Sequence, residues 1–172
     1  RQMRNQRFWI CITLFVFYAV ILFGILFMRP ISYSPDMSFK EYAEHATNFV
    51  PFHMIRNYMI ALKNNRIEPY LVFANIIGNI VIFIPLPMLL SGLTGRILRW
   101  IKLFGIGLLT LICLEIIQLL TRRGACDVDD VLLNMTGILL GYLIVRIYAR
   151  KKYGIPVHNK EHVKPEMKQD LD

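Results

Sequence analysis

Residues 100–120 read WIKLFGIGLLTLICLEIIQLL, an almost uninterrupted apolar run with a single base near its start. At about 1.5 Å per residue, a helix of this length crosses a hydrocarbon core of roughly 30 Å. Three further runs have the same character, at about 8–28, 70–90 and 131–148. The pattern predicts an all-α integral membrane bundle of about four transmembrane helices.

The composition agrees with this fold class and indicates which kind of binding partner to expect. Of the 172 residues, 55% are hydrophobic and 19% are charged, and the net charge is +8. The basic residues flank the apolar runs instead of alternating with aromatic ones, which favours membrane lipids over nucleic acid as the partner. The three cysteines have no metal-ligand spacing, and we expect neither a metal nor a cofactor: Cys11, Cys113 and Cys126.

The apolar runs divide the chain into four parts. Residues 1–28 form a basic flank and the first transmembrane helix. Residues 29–69 form a polar connecting segment, part of which can be helical along the membrane interface. Residues 70–149 form a three-helix core, in which Pro85 and Pro87 predict a kink in the second span. The basic tail, residues 150–172, is expected to be disordered.

Basic clusters predict the orientation. Residues 1–7, 96–102 and 146–152 are rich in Arg and Lys, and they share one side of the membrane if the four spans alternate. The positive-inside rule makes that side the cytoplasm. We therefore predict that both termini are cytoplasmic, and that segments 29–69 and 121–130 are extracytoplasmic.

Polar side chains interrupt three of the predicted spans near their outer ends. Glu115 lies one to two turns below the end of the third span, and Asn134 lies at a similar depth in the fourth. Asn75 and Asn79 share one face of the second span because they are four residues apart. We expect a polar cavity open to the outer leaflet, with these ligand-binding residues: Asn75, Asn79, Glu115, Gln118, Arg122, Arg123, Asp127, Asp129, Asp130 and Asn134.

Several of these residues allow more than one role. Glu115 is costly inside a membrane, so it should form an ion pair with Arg122 or Arg123, contact a ligand, or act in catalysis. One aspartate of segment 127–130 could cap the fourth helix, although clustered carboxylates also suit a hard cation. The Asn134, Gly137 and Gly141 face favours close helix packing, within the chain or in a homo-oligomer.

Three motifs in order resemble the VanZ family. They are NIIGNIVIFIP at 75–85, LEIIQ at 114–118 and DVDDVLLNMTG at 127–137, with a weaker echo in NFVPF at 48–52. The chain departs from the family pattern at Pro87, where glycine is usual, and at Cys126, where an aromatic residue is common. The resemblance implies a small multi-pass protein of the bacterial cytoplasmic membrane, associated with resistance to the glycopeptide teicoplanin, and brings no settled biochemical activity.

Three functions compete. The first is resistance through contact with a lipid-linked cell-wall precursor or with the lipophilic drug at the outer leaflet. The second is a membrane enzyme acting on a lipid phosphate head group, with Glu115 or Asp130 as general acid or base, although no catalytic motif is recognised. The third is an ion pathway through Glu115.

Overall fold

A computed structural model of the protein describes residues 2–28, 36–94 and 97–153. The chain folds into seven helices and one pair of two-residue strands over these ranges, in the order α1 (Gln2–Phe27), α2 (Phe39–Ala46), β1 (Thr47–Asn48), α3 (His53–Lys63), α4 (Pro69–Phe83), α5 (Pro85–Thr94), α6 (Trp100–Leu120), β2 (Cys126–Asp127) and α7 (Val128–Tyr153).

The described residues contain four stretches of helix that are long and apolar enough to cross a membrane: Phe8–Phe27, Pro69–Thr94, Trp100–Leu120 and Val128–Lys152. Large apolar side chains along them, such as Phe17 and Leu109, are well exposed in the isolated chain. Such exposure suits a lipid environment and would be unfavourable in water. The predicted all-α bundle of four membrane-spanning helices is confirmed.

The second span is interrupted where its prolines predict a kink. Pro85 has no N–H to donate, and the backbone N–H of Ile84 bonds to Val81 three residues back instead of four. The span is therefore two helices, α4 and α5, joined at Ile84.

Helix α7 packs closely against α4 and α5 through its glycines. A Cβ atom added at Gly137 would overlap the carbonyl oxygen of Ile80, and one added at Gly141 would overlap that of Ile84. This is the close approach that the small-residue spacing predicts. Because the chain's own helices cover this face, a homo-oligomer built through it would have to displace α4 and α5.

The connecting segment is structured over residues 36–68. Helix α2 begins with a capping box, in which Ser38 and Glu41 bond reciprocally through side chains and backbone. These hydrogen bonds lower the pKa of Glu41 below its ordinary value. Strand β1 pairs in parallel with β2, so the connecting segment is joined to the loop before α7.

Further predictions concern the basic clusters and the C-terminal tail. Helix α7 continues to Tyr153, so the basic residues from Arg150 to Lys152 form its last turn. Residues 150–153 of the tail predicted to be disordered are therefore helical, and residues 154–172 lie outside the described ranges, as do Arg1 and Arg96 of the basic clusters. The cytoplasmic placement of both termini therefore stays a prediction.

Candidate functional site

Asp127 caps the N-terminus of α7, where the first backbone N–H groups have no partner within the helix. Its carboxylate Oδ1 accepts a hydrogen bond from the Asp129 backbone N–H at 2.8 Å, as an N-terminal cap does. The same carboxylate accepts the Asn48 side-chain amide, with N–O distances of 3.1 and 3.2 Å to its two oxygens. Asp127 therefore caps one helix and fixes the connecting segment, and Asn48 is a partner that the sequence analysis did not identify.

Asp129 is fully buried and binds backbone amides of the connecting segment. Its carboxylate accepts hydrogen bonds from the N–H groups of Phe52, Met54 and Ile55, the last two at 2.8 and 3.3 Å. A negative charge at the N-terminus of α3 satisfies donors that have no partner within the helix. It also holds Phe52 in the left-handed region, at φ 63°, a conformation that costs roughly 1–3 kcal/mol for such a residue.

Glu115 lies beneath this junction and is only 5% exposed. Its Oε2 accepts a hydrogen bond from the Asp127 backbone N–H at 3.1 Å. Arg122, one of its expected partners, donates to the Met37 carbonyl at 2.9 Å and lies over the Phe39 ring of α2, 5.8 Å from its centroid. The structure thus directs Arg122 towards the connecting segment, while the Arg123 side chain is exposed.

Gln118 joins α6 to α1. Its side-chain amide donates to the Leu26 carbonyl at 2.9 Å, and its side chain packs beside Gly124. The Gly124 carbonyl accepts a hydrogen bond from the hydroxyl of Tyr42, a fully buried residue of α2. Tyr42 is a second residue that the sequence analysis missed, although Tyr42 and Ala46 mark a buried α2 face at a helical spacing of four.

The remaining amides separate into a buried group and a peripheral one. Asn79 is buried and donates from its side chain to the Asp130 carboxylate, and Asn134 is buried one turn further along α7. Among the described residues, the Asn134 Oδ1 is a buried acceptor without a hydrogen-bond partner. Asn75 instead donates to the Leu71 carbonyl at 2.7 Å, a hydrogen bond within its own helix that does not extend to the other polar side chains.

The buried and partly buried polar residues around the start of α7 are referred to as the polar cluster: Asn79, Glu115, Asp127, Asp129, Asp130 and Asn134. An apolar groove adjoins this cluster. A cavity of about 290 Å³ lies between α1 and α4, lined by Ile25, Leu26, Gly78, Asn79, Ile82 and their neighbours. Its walls are aliphatic except for the Asn79 amide. The groove could therefore take a hydrocarbon chain, with a polar group of the cluster at its wall.

Comparison with known proteins identifies the family. The family model described as VanZ/LLP1 matches residues 15–149. This range includes the polar cluster, the groove and the greater part of each of the four spans. The chain belongs to the VanZ family. No curated protein and no solved structure matches it.

The cluster of this VanZ-family protein is rich in carboxylates already engaged by donors. Glu115, Asp127 and Asp129 each accept at least one backbone N–H, as buried polar side chains generally do. Among the described residues, no group of three His, Cys, Asp or Glu side chains is arranged to hold a metal ion. The Asn134 oxygen lies buried beside these carboxylates.

The pKa of Cys126, which lies just before α7, depends on the charges of this VanZ-family cluster. Burial raises the pKa of its thiol above the ordinary value, and the negative charges of Glu115 and Asp127 raise it further. The thiol is therefore a weaker acid than an ordinary cysteine, so it is a poor candidate for a nucleophile.

Proposed function

We propose that this VanZ-family protein contributes to glycopeptide resistance, with teicoplanin as the drug, in a bacterial cytoplasmic membrane. It does so by binding an amphiphile, either a lipid-linked cell-wall precursor or the lipophilic drug, through its groove and polar cluster. The observation that carries the proposal is the contact between the two: Asn79 lies in the wall of the groove and also bonds to Asp130 of the cluster.

The shape of the groove supports a ligand with a hydrocarbon chain. Gly78 lies in its wall, and a Cβ atom built there meets nothing within 4 Å, so the space beside this residue is open. The aliphatic lining excludes a charged chain but stabilises methylenes, which contribute about 0.8 kcal/mol each when buried from water.

The polar cluster supports a head group that donates hydrogen bonds. Asp130 is partly exposed and offers carboxylate oxygens, and it lies one turn from the buried Asn134 acceptor on the same face of α7. Peptide amides and sugar hydroxyls are donors of this kind, and both the wall precursors and the glycopeptides carry them.

The distribution of charge favours the outer leaflet. The basic residues Arg99 and Lys102 begin α6, and Arg150 to Lys152 end α7, so both sets lie at the helix ends opposite the polar cluster. The positive-inside rule then assigns the cluster to the extracytoplasmic side, where precursors and drug meet.

Drug susceptibility in a sensitive Gram-positive host tests this proposal. We expect wild-type expression to raise the inhibitory teicoplanin concentration, and Asp130→Asn and Glu115→Gln to abolish that rise at unchanged membrane abundance. Glu44→Gln, an exposed carboxylate of α2 outside the cluster, is the matched control and should protect as the wild type does. Susceptibility unchanged by wild-type expression, or full protection by both cluster variants, would contradict the proposal.

A further inference from the structure

Four consecutive apolar residues are exposed between β1 and α3. In the isolated chain, Phe49 is 75% exposed, Val50 61% and Phe52 65%, and Pro51 between them is also exposed. We refer to residues 49–52 as the apolar turn. Large apolar side chains in such a run do not stay in water without a reason.

The fold imposes this exposure on the turn. The Asn48 side chain accepts from the Val50 N–H at 3.1 Å, and the His53 N–H donates to the Val50 carbonyl at 3.2 Å. At the end of the turn, the buried Asp129 carboxylate holds the left-handed Phe52 through its backbone N–H. The backbone is thus fixed on both sides, while the apolar side chains project outward.

The anchors of the turn place it at the boundary of the membrane. Asn48 pairs with Asp127 and Phe52 bonds to Asp129, and the fourth membrane-spanning stretch begins between them, at Val128. The exposed apolar side chains of the turn are therefore close to the level at which the fourth span starts.

The helix that follows has the charge expected beside lipid phosphates. Helix α3 carries the exposed bases Arg56 and Lys63 and no acidic residue. Its partly buried side chains, such as Ile55 and Tyr58, face one side of the helix, and both bases lie among its exposed residues.

We propose that the apolar turn is a membrane wedge. Phe49, Val50 and Phe52 enter the boundary between head groups and acyl chains in the leaflet at which α7 begins, and Arg56 lies at the level of the lipid phosphates. This contact fixes the connecting segment over the polar cluster from the lipid side, as Asp129 does from the protein side. It does not depend on the proposed role in resistance.

Tryptophan quenching in bilayers measures where the turn lies. The native Trp9 and Trp100 are exposed on the spans and are first replaced by phenylalanine. Single tryptophans are then introduced as Phe49→Trp, Phe52→Trp and, on the exposed side of α3, Asn57→Trp. Each full-length protein is reconstituted in phosphatidylcholine–phosphatidylglycerol vesicles, with or without bromine on the acyl chains, and titrated with iodide.

We expect brominated lipid to quench Phe49→Trp and Phe52→Trp strongly, while iodide quenches them weakly. Asn57→Trp should show the reverse. Phe49 lies outside the left-handed position, so its variant keeps the test valid if Phe52→Trp fails to fold.

Two results would overturn the wedge. Quenching of both turn tryptophans by iodide and not by brominated lipid would place the turn in water. Resistance to both quenchers would show that protein covers the turn, as a second copy of the chain would.

Discussion

Asp129 illustrates how single residues hold this protein together. Its carboxylate joins α7 to the first turn of α3 through three backbone N–H donors, although 74 to 77 residues separate the partners along the chain. Hydrogen bonds to a buried charge are stronger than neutral ones, and removing the acceptor leaves donors unsatisfied. The sequence identifies Asp129 as unusual, but it cannot show that the partner is backbone, because a backbone N–H carries no residue identity.

Replacing this carboxylate should loosen the connecting segment. We expect Asp129→Asn to lower the free energy of unfolding by about 1.5–3 kcal/mol, because an amide offers one acceptor where the carboxylate offers two. Hydrogen exchange at Phe52, Met54 and Ile55 should accelerate more than exchange in α6. The matched control is Glu44→Gln, and equal protection of these amides in the wild type and Asp129→Asn would contradict the clamp.

The Cys126 thiol gives a pH-dependent test of the same cluster. Because its pKa is raised, less thiolate is present at a given pH, and alkylation by a maleimide should be slower than at an exposed cysteine introduced as Asn57→Cys. Glu115→Gln removes one of the nearby negative charges, so the rate profile of Cys126 should shift to lower pH. The measurement uses chains in which Cys11 and Cys113 are replaced by alanine, and an unchanged profile in Glu115→Gln would show that Glu115 carries no charge felt by the thiol.

At the scale of elements, glycines determine how closely α7 packs. The Cβ of Gly137→Ala would overlap the Ile80 carbonyl, and overpacking of this kind costs typically about 1–3 kcal/mol. Gly105→Ala in α6 is the matched control, since a Cβ there meets nothing within 4 Å. Thermal unfolding in detergent should show a lower midpoint for Gly137→Ala alone, and equal midpoints would mean that α4 and α7 are not in close contact.

The elements also show which features local sequence can predict. The four spans, the break before Pro85 and the glycine face of α7 follow from hydropathy, proline chemistry and helical spacing, all of which act over a few residues. The pairing of β1 with β2 joins Asn48 to Asp127 across 79 residues, and no periodic pattern encodes it. The convergence of Asn79 and Glu115 on the start of α7 could be predicted from their depths, but the attachment of Arg122 to α2 could not.

At the scale of the whole molecule, the connecting segment and the polar cluster lie at one end of the bundle, and eight of the fourteen described Lys and Arg residues lie at the other. The orientation is therefore testable with an impermeant thiol reagent on intact bacteria. In a cysteine-free chain, Asn57→Cys should react from outside, whereas Lys151→Cys should react only after the membrane is permeabilised. The reverse labelling pattern would place the cluster in the cytoplasmic leaflet and remove the argument for contact with the drug.

The central claim is that the groove between α1 and α4 is a binding site, and ligand affinity in nanodiscs tests it most directly. Binding of teicoplanin and of a polyprenyl-linked wall precursor is measured for the wild type and for Gly78→Phe, which fills the groove without a Cβ clash. We predict that the wild type binds at least one of these amphiphiles, and that Gly78→Phe weakens that affinity by about tenfold, or 1.4 kcal/mol. If Gly78→Phe folds and binds both ligands as the wild type does, or if the wild type binds neither, the groove is not the site.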